Sequence, residues 1–186
     1  MKYISYLLLS LFIVLTACTP EQKVLSKEEV DKEHEAIINV IKAYNKAMDE
    51  KNFYALTETL AGDVVFFGTD SAEVINTFAD FKEKIKEQWK MFDKMLYGEM
   101  LDISIQMDPA SPKLASIIFG IPQTITIGDT TATLFMRMNR TLKKERGNWV
   151  IVSGVVGTAS HKQILILKNL LKARTDSANG EEMPKE

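Results

Sequence analysis

Apolar residues at Ile37, Val40, Ile41, Tyr44, Ala47 and Met48 fall three and four apart, which predicts one buried helical stripe. Ser26-Lys27-Glu28-Glu29 has capping-box spacing, so this helix starts at Ser26 and runs to about Glu50. Phe53–Leu60 reads as a short second helix, and Val64-Val65-Phe66-Phe67 as a strand. Gly68-Thr69-Asp70-Ser71 is a turn, with a short returning strand over Val74–Phe78. Phe81, Ile85, Trp89 and Phe92 then recur at helical spacing and predict a helix over Asp80–Lys94.

The second half alternates instead. Leu101, Ile103, Ile105 and Met107 are separated by polar residues, the pattern of a half-buried strand. Asp108–Pro112 is a turn. Leu114–Ile127 is β-rich, with Gly120 and Pro122 predicting a bulge or bend. Thr131–Lys143 and Trp149–Thr158 form a hairpin across Glu145-Arg146-Gly147-Asn148. His161–Arg174 carries Ile164, Leu167 and Leu171 on one helical side, although its Ile-Leu-Ile-Leu run also suits a strand. Helices followed by a meander of strands make an α+β domain. The expected architecture is a cone-shaped, curved antiparallel sheet wrapped around the N-terminal helices, with a cavity between them. Helices cover only one face of such a sheet. The last two strands carry apolar residues at both parities, so the second face needs a cover too. A homodimer supplies one, and the chain's own segment after His161 supplies another.

The start of the chain has a different pattern. Lys2 precedes an aliphatic run from Ile4 to Leu15, which is too short to span a bilayer comfortably. Leu15-Thr16-Ala17-Cys18 follows, and Cys18 is the only cysteine. This stretch resembles the lipobox of bacterial lipoproteins, which implies removal of residues 1–17 and a lipid on Cys18. The expected layout is a signal peptide over 1–17, a tether over 18–25, the domain over 26–174 and a disordered polar tail over 175–186. The implied address is the cell envelope, anchored to a membrane through that lipid. In a Gram-negative cell this means the outer membrane or the periplasmic side.

Charge narrows the partners. The chain has 23 basic and 25 acidic side chains, and loss of Lys2 leaves a net charge of −3. That mild balance argues against nucleic acid as an electrostatic partner. A single cysteine allows no disulfide within the chain.

Between Glu28 and Thr158 the pattern resembles the SnoaL-like branch of the nuclear transport factor 2-like (cystatin-like) superfamily. Four pieces carry the resemblance: Ile38–Phe53 in the opening helix pair, Val64–Glu73 with its Gly-Thr-Asp turn, Arg137 on the penultimate strand, and Gly147–Ser153 in the closing hairpin. The superfamily includes isomerases, dehydratases, cyclases, hydrolases, assembly factors and plain binding domains, so the resemblance fixes no single activity. It implies an interior site. Tyr44 stands where related isomerases place an oxyanion donor, or it is a core tyrosine bonded to the backbone. Asp70 and Glu73 flank the turn after the first strand and offer a base, or Asp70 organises its own turn. The base position of the isomerases falls near Gly68, and pocket histidines give way to Ser153 and Val155. Arg137 points into the cavity to bind a carboxylate, or outward into solvent. Phe67 and Trp89 complete the expected lining. His34 and His161 are the only histidines, and no metal-ligand spacing or cofactor motif is present.

The function expected is a lipid-anchored domain that binds a small apolar or weakly anionic molecule through Tyr44, Phe67, Trp89, Arg137 and Ser153, with no metal and no cofactor. One alternative is an isomerase, dehydratase or hydrolase using Tyr44 with Asp70 or Glu73. The other is a structural subunit of an envelope assembly.

Overall fold

A computed structural model describes residues 24–68, 73–158 and 161–180. Cys18, the signal peptide, most of the tether and Asp70 lie outside the described residues. Helix α1 spans Lys27–Asp49 and opens with the expected capping box: Glu29 N donates to Ser26 Oγ, and Ser26 N donates to the Glu29 carboxylate. A short helix α2 covers Phe53–Thr57, capped by the Asn52 side chain. Strands β1 (Leu60–Phe67) and β2 (Val74–Ile75) follow, then helix α3 (Phe78–Met91). The C-terminal end of α3 is held by Lys51, whose Nζ donates to the carbonyls of Trp89 and Phe92. That contact ends α3 before residue 94, and Lys94–Tyr97 becomes strand β3 rather than the end of the expected helix. Strands β4 (Leu101–Met107), β5 (Leu114–Ile127), β6 (Thr130–Glu145) and β7 (Asn148–Thr158) match the alternating stretches. Helix α4 covers His161–Gly180, so the helical choice is the observed one and runs past Arg174.

The seven strands form one sheet in the order β2-β1-β7-β6-β5-β3, with β4 also on β5. This corrects the expected cone-shaped, curved antiparallel sheet wrapped around the helices. The sheet is open, with free edges, and it is mixed: β1 runs parallel to β7, with Phe67 opposite Val155. Short hairpin turns force β5, β6 and β7 to be antiparallel, but no turn joins β1 to β7 and nothing local sets their direction. The β6–β7 turn is a two-residue loop in which Arg146 and Gly147 both have positive φ, at 51° and 88°.

The expected bulge at Gly120 and Pro122 is absent from the β5–β6 ladder, which keeps register from end to end. Gly120 makes room for the Phe135 ring instead: a Cβ there would lie 2.4 Å from Phe135 Cζ. On its other edge β5 does break register at Gly120: Leu101 pairs with Gly120 but Ser104 with Ile118, so β4 carries one residue more there. Further irregularities fall between Thr141 and Leu142 and between Leu60 and Val65, both against β7.

The core lies between the helices and one sheet face. Ile37, Ile41, Met48 and Leu56 meet Val64, Ile117, Phe119, Ile121, Leu134, Leu142 and Ile151, all essentially buried. Such burial is the main source of stability, at about 25 cal/mol per Å² of apolar surface. Glu33 of α1 clamps the far end. Its carboxylate accepts from Lys144 Nζ and, at 2.7 Å, from Trp149 Nε1.

Candidate functional site

Strand β6 turns Leu134, Met136, Met138, Arg140 and Leu142 toward the helices, and all five are buried. Arg140 is 3% exposed and is the one charged side chain among the buried described residues. Its guanidinium carbon lies 5.7 Å from the centre of the Tyr44 ring and 5.3 Å from that of Phe66. Two cation–π faces thus substitute in part for lost water. Nη1 donates to the carbonyls of Asn139 and Val155, at 2.9 and 3.2 Å. Among the described residues, Nη2 donates to the sulfur of Met138, at 3.5 Å. No carboxylate among the described residues pairs with it. Burial pushes the Arg140 pKa down from its ordinary value, partly opposed by Tyr44 and Tyr97. Arginine starts so high that it stays protonated.

Gly154 pairs with Arg140 across β6–β7 and leaves space for it, since a Cβ at 154 would lie 2.6 Å from Nη1. Tyr97 of β3 pairs with buried Gln123 of β5, whose side chain hydrogen-bonds the Tyr97 hydroxyl. Burial raises the pKa of both Tyr44 and Tyr97, so both hydroxyls stay protonated donors at neutral pH. Asp49 anchors the same region from the end of α1, accepting from Tyr97 N at 2.9 Å. Burial raises its pKa too; that bond acts against the rise and the nearby Glu50 adds to it. The site therefore brings together one buried cation, two phenols, an amide and an aromatic wall.

Of the residues expected from sequence, Tyr44 lies in this cluster. Trp89 belongs to the same aromatic layer but at its far end, linked by ring contacts through Phe66, Phe81, Phe78 and Phe53. Its indole Nε1 is buried with no partner among the described residues. Arg137 is exposed on the opposite sheet face, the outward one of its two expected places, so it does not line the interior as a binding residue. Phe67 is corrected likewise: it is 48% exposed, while its neighbour Phe66 is buried against Tyr44. Ser153 pairs with Thr141, on the face away from Arg140. Glu73 sits exposed at the β1–β2 turn, its carbonyl accepting from Gly68 N.

The corrections share one cause. A one-residue change of parity reverses every side chain of a strand. The series Leu134, Met136, Met138, Leu142 held the signal for Arg140, which lies in the same phase.

Tyr44, Gln123 and Arg140 are all buried, so the cluster is closed to solvent. Two hollows among the described residues lie away from this cluster, one beside Gln106–Asp108 and Leu114–Ser116, the other around Glu58, Glu145, Arg146 and Asn148. No group of three or more His, Cys, Asp or Glu among the described residues is placed to hold a metal.

An open mixed sheet with N-terminal helices over one face defines a nuclear transport factor 2-like α+β domain. A SnoaL-like domain model matches residues 37–157, and the chain belongs to that family. The fold is similar to that of hexachlorocyclohexane dehydrochlorinase LinA-type3 from Novosphingobium barchaimii, at 9% identity and a TM-score of 0.63, covering 73% of this chain and 92% of the other. A putative scytalone dehydratase from Novosphingobium aromaticivorans superposes with a TM-score of 0.61 at 15% identity, covering 69% and 85%. A nuclear transport factor 2-like protein of unknown function from Pseudomonas putida gives 0.58 at 17% identity, covering 72% and 92%. No curated protein matches the chain in sequence.

Proposed function

We propose that this protein is a lipid-anchored, exported SnoaL-like domain that binds a small, largely apolar molecule between its helices and its sheet. The observation that carries this reading is the cluster of Arg140, Tyr44, Tyr97 and Gln123 inside a largely apolar core. A core that only had to be stable would gain from an apolar residue in place of a buried charge with which no described carboxylate pairs. Polar groups converging in an apolar interior are what a small-molecule site uses to orient its ligand. Entry requires side chains around Arg140 to part, because the cluster is packed shut at rest. Binding is favoured over catalysis here: Glu73, one of the two acids expected as a base, is exposed at a turn rather than beside Tyr44.

The test is titration of the full chain with 4-phenylbutan-1-ol, followed by NMR. Shifts confined to Tyr44, Phe66, Met138 and their neighbours support an interior site. Shifts confined to the surface hollows, or none at millimolar ligand, would sink it.

The anchor rests on Leu15-Thr16-Ala17-Cys18 and the apolar run before it. Acyl chains on Cys18 would hold the domain at a membrane, each buried methylene contributing about 0.8 kcal/mol. Wild type should partition into detergent with an acylated mass, and Cys18→Ala should not. A soluble, unacylated wild type would remove the anchor.

A further inference from the structure

We propose that the free edge of the Arg140 guanidinium is the seat of a single carboxylate, so that the ligand is an apolar monocarboxylate. This rests on the interior site proposed above and names the polar end of its ligand.

A guanidinium has five N–H donors in one plane. At Arg140, Nη1 is spent on the carbonyls of Asn139 and Val155. The Nε and Nη2 hydrogens lie on the other edge, side by side. Among the described residues, the acceptor for Nη2 is the Met138 sulfur, a weak one. Two parallel N–H groups without an oxygen acceptor match the two oxygens of a carboxylate.

The surroundings set the rest of the ligand. Arg140 is the one charged side chain among the buried described residues, so the site neutralises one negative charge. A dianion such as a phosphate monoester would bring in a second charge that nothing there compensates. Tyr44, whose ring centre is 5.7 Å from the guanidinium carbon, and Tyr97 beside Gln123 add hydroxyls that stay neutral. Around them lie Phe66, Met138, Phe81 and Phe119, which accept only an apolar body. Gly154 leaves the room that the guanidinium fills, and the Asn139 and Val155 carbonyls hold Nη1, so its other edge is fixed in direction. A preoriented fork loses little freedom on binding, which favours a planar carboxylate over a solvated point anion.

The test compares 4-phenylbutyrate with 4-phenylbutan-1-ol on the ¹⁵N-labelled full chain. The acid should bind at least about tenfold more tightly than the alcohol. It should also shift the Arg140 Nε–H resonance while leaving that of Arg137 in place. Arg140→Met should abolish the preference, Arg140→Lys should weaken it, and Arg137→Gln should leave it unchanged. Should Arg140→Met not fold, the Nε–H shift in the unaltered protein decides. Equal binding of acid and alcohol, with interior resonances moving, would overturn the carboxylate and leave the interior site standing. A shift of Arg137 Nε–H in place of Arg140 would likewise overturn it. Binding of neither compound would overturn both.

Discussion

Arg140 fills the space that a side chain at position 154 would need. A Cβ built on Gly154 would meet Nη1 at 2.6 Å and Cδ at 2.7 Å, and Phe66 Cε1 at 2.9 Å. The glycine is therefore a packing requirement of the arginine, not a turn or a hinge. Two of the three obstacles belong to a side chain already held by two carbonyls and two rings.

Gly154→Ala should accordingly destabilise the fold by about 1–3 kcal/mol, the range for overpacking a close-fitting interior. Urea unfolding gives the number. A midpoint equal to that of wild type would mean that Arg140 moves aside freely, and would contradict the fixed guanidinium.

Glu33→Gln should weaken the clamp between α1 and the β6–β7 hairpin. Burial works to raise the Glu33 pKa, but the bonds from Lys144 and Trp149 outweigh it and hold the group below its ordinary 4.5. A carboxylate depressed on folding stabilises above its unfolded pKa, and that contribution fades as pH falls through the folded value. Wild type should exceed Glu33→Gln by about 1 kcal/mol at pH 7, a modest figure because the pair is partly solvated. The gap should close as pH falls below about 4.5 and through the lowered folded value. A gap independent of pH would show that the charge on Glu33 plays no part.

The two tryptophans should respond differently to phenylalanine. Trp149 donates to Glu33 at 2.7 Å, whereas the Trp89 indole N–H is buried with no partner among the described residues. Trp149→Phe orphans a hydrogen bond to a charged group and should cost about 2 kcal/mol. Trp89→Phe removes an unpaired donor along with some ring contact, and should change stability by less than about 1 kcal/mol. Equal losses would place an acceptor near Trp89.

Self-association is expected through the sheet face opposite the helices. Phe67, Val155, Asn139 and Ile118 are paired in one row across β1, β7, β6 and β5, and Phe67, Val155 and Ile118 are 48%, 50% and 51% exposed. Helix α4 packs against β5, β6 and β7 and buries Leu170, yet it leaves this row open. Sedimentation of the full chain should give a dimer that Ile118→Glu with Val155→Glu converts to monomer. A wild-type monomer at high micromolar concentration would end the dimer proposal.

How far the sequence could be read depends on the kind of signal. Capping at Ser26 and the stripe from Ile37 to Met48 are local, and the structure keeps them. The alternation of β4 survives only at Ile105 and Met107, since Leu101 and Ile103 are exposed. Arg137, Phe67 and Ser153 were placed by strand phase, which is set by contacts distant in sequence. Strand β7 carries apolar residues at both parities, and the break between Thr141 and Leu142 shifts its phase midway. Trp149 and Ile151 face the core, and so does Gly154, three positions on rather than two or four. No periodicity marks such a shift. Arg140 itself sat in the same phase as Met136, Met138 and Leu142, but a charged residue in an apolar series reads as surface until its ring partners are seen.

The parallel pairing of β1 with β7 sets the order in which this molecule can be completed. β1 emerges early in synthesis and finds β2 nearby, but its long neighbour is the last strand made. Until Asn148–Thr158 has appeared, Phe66 has no sheet to hold it against Arg140, and the edge of β1 stays bare. A chain of such distant pairings folds slowly and as a whole. Ending the chain before Thr158 would thus leave an adhesive fragment, not a smaller domain.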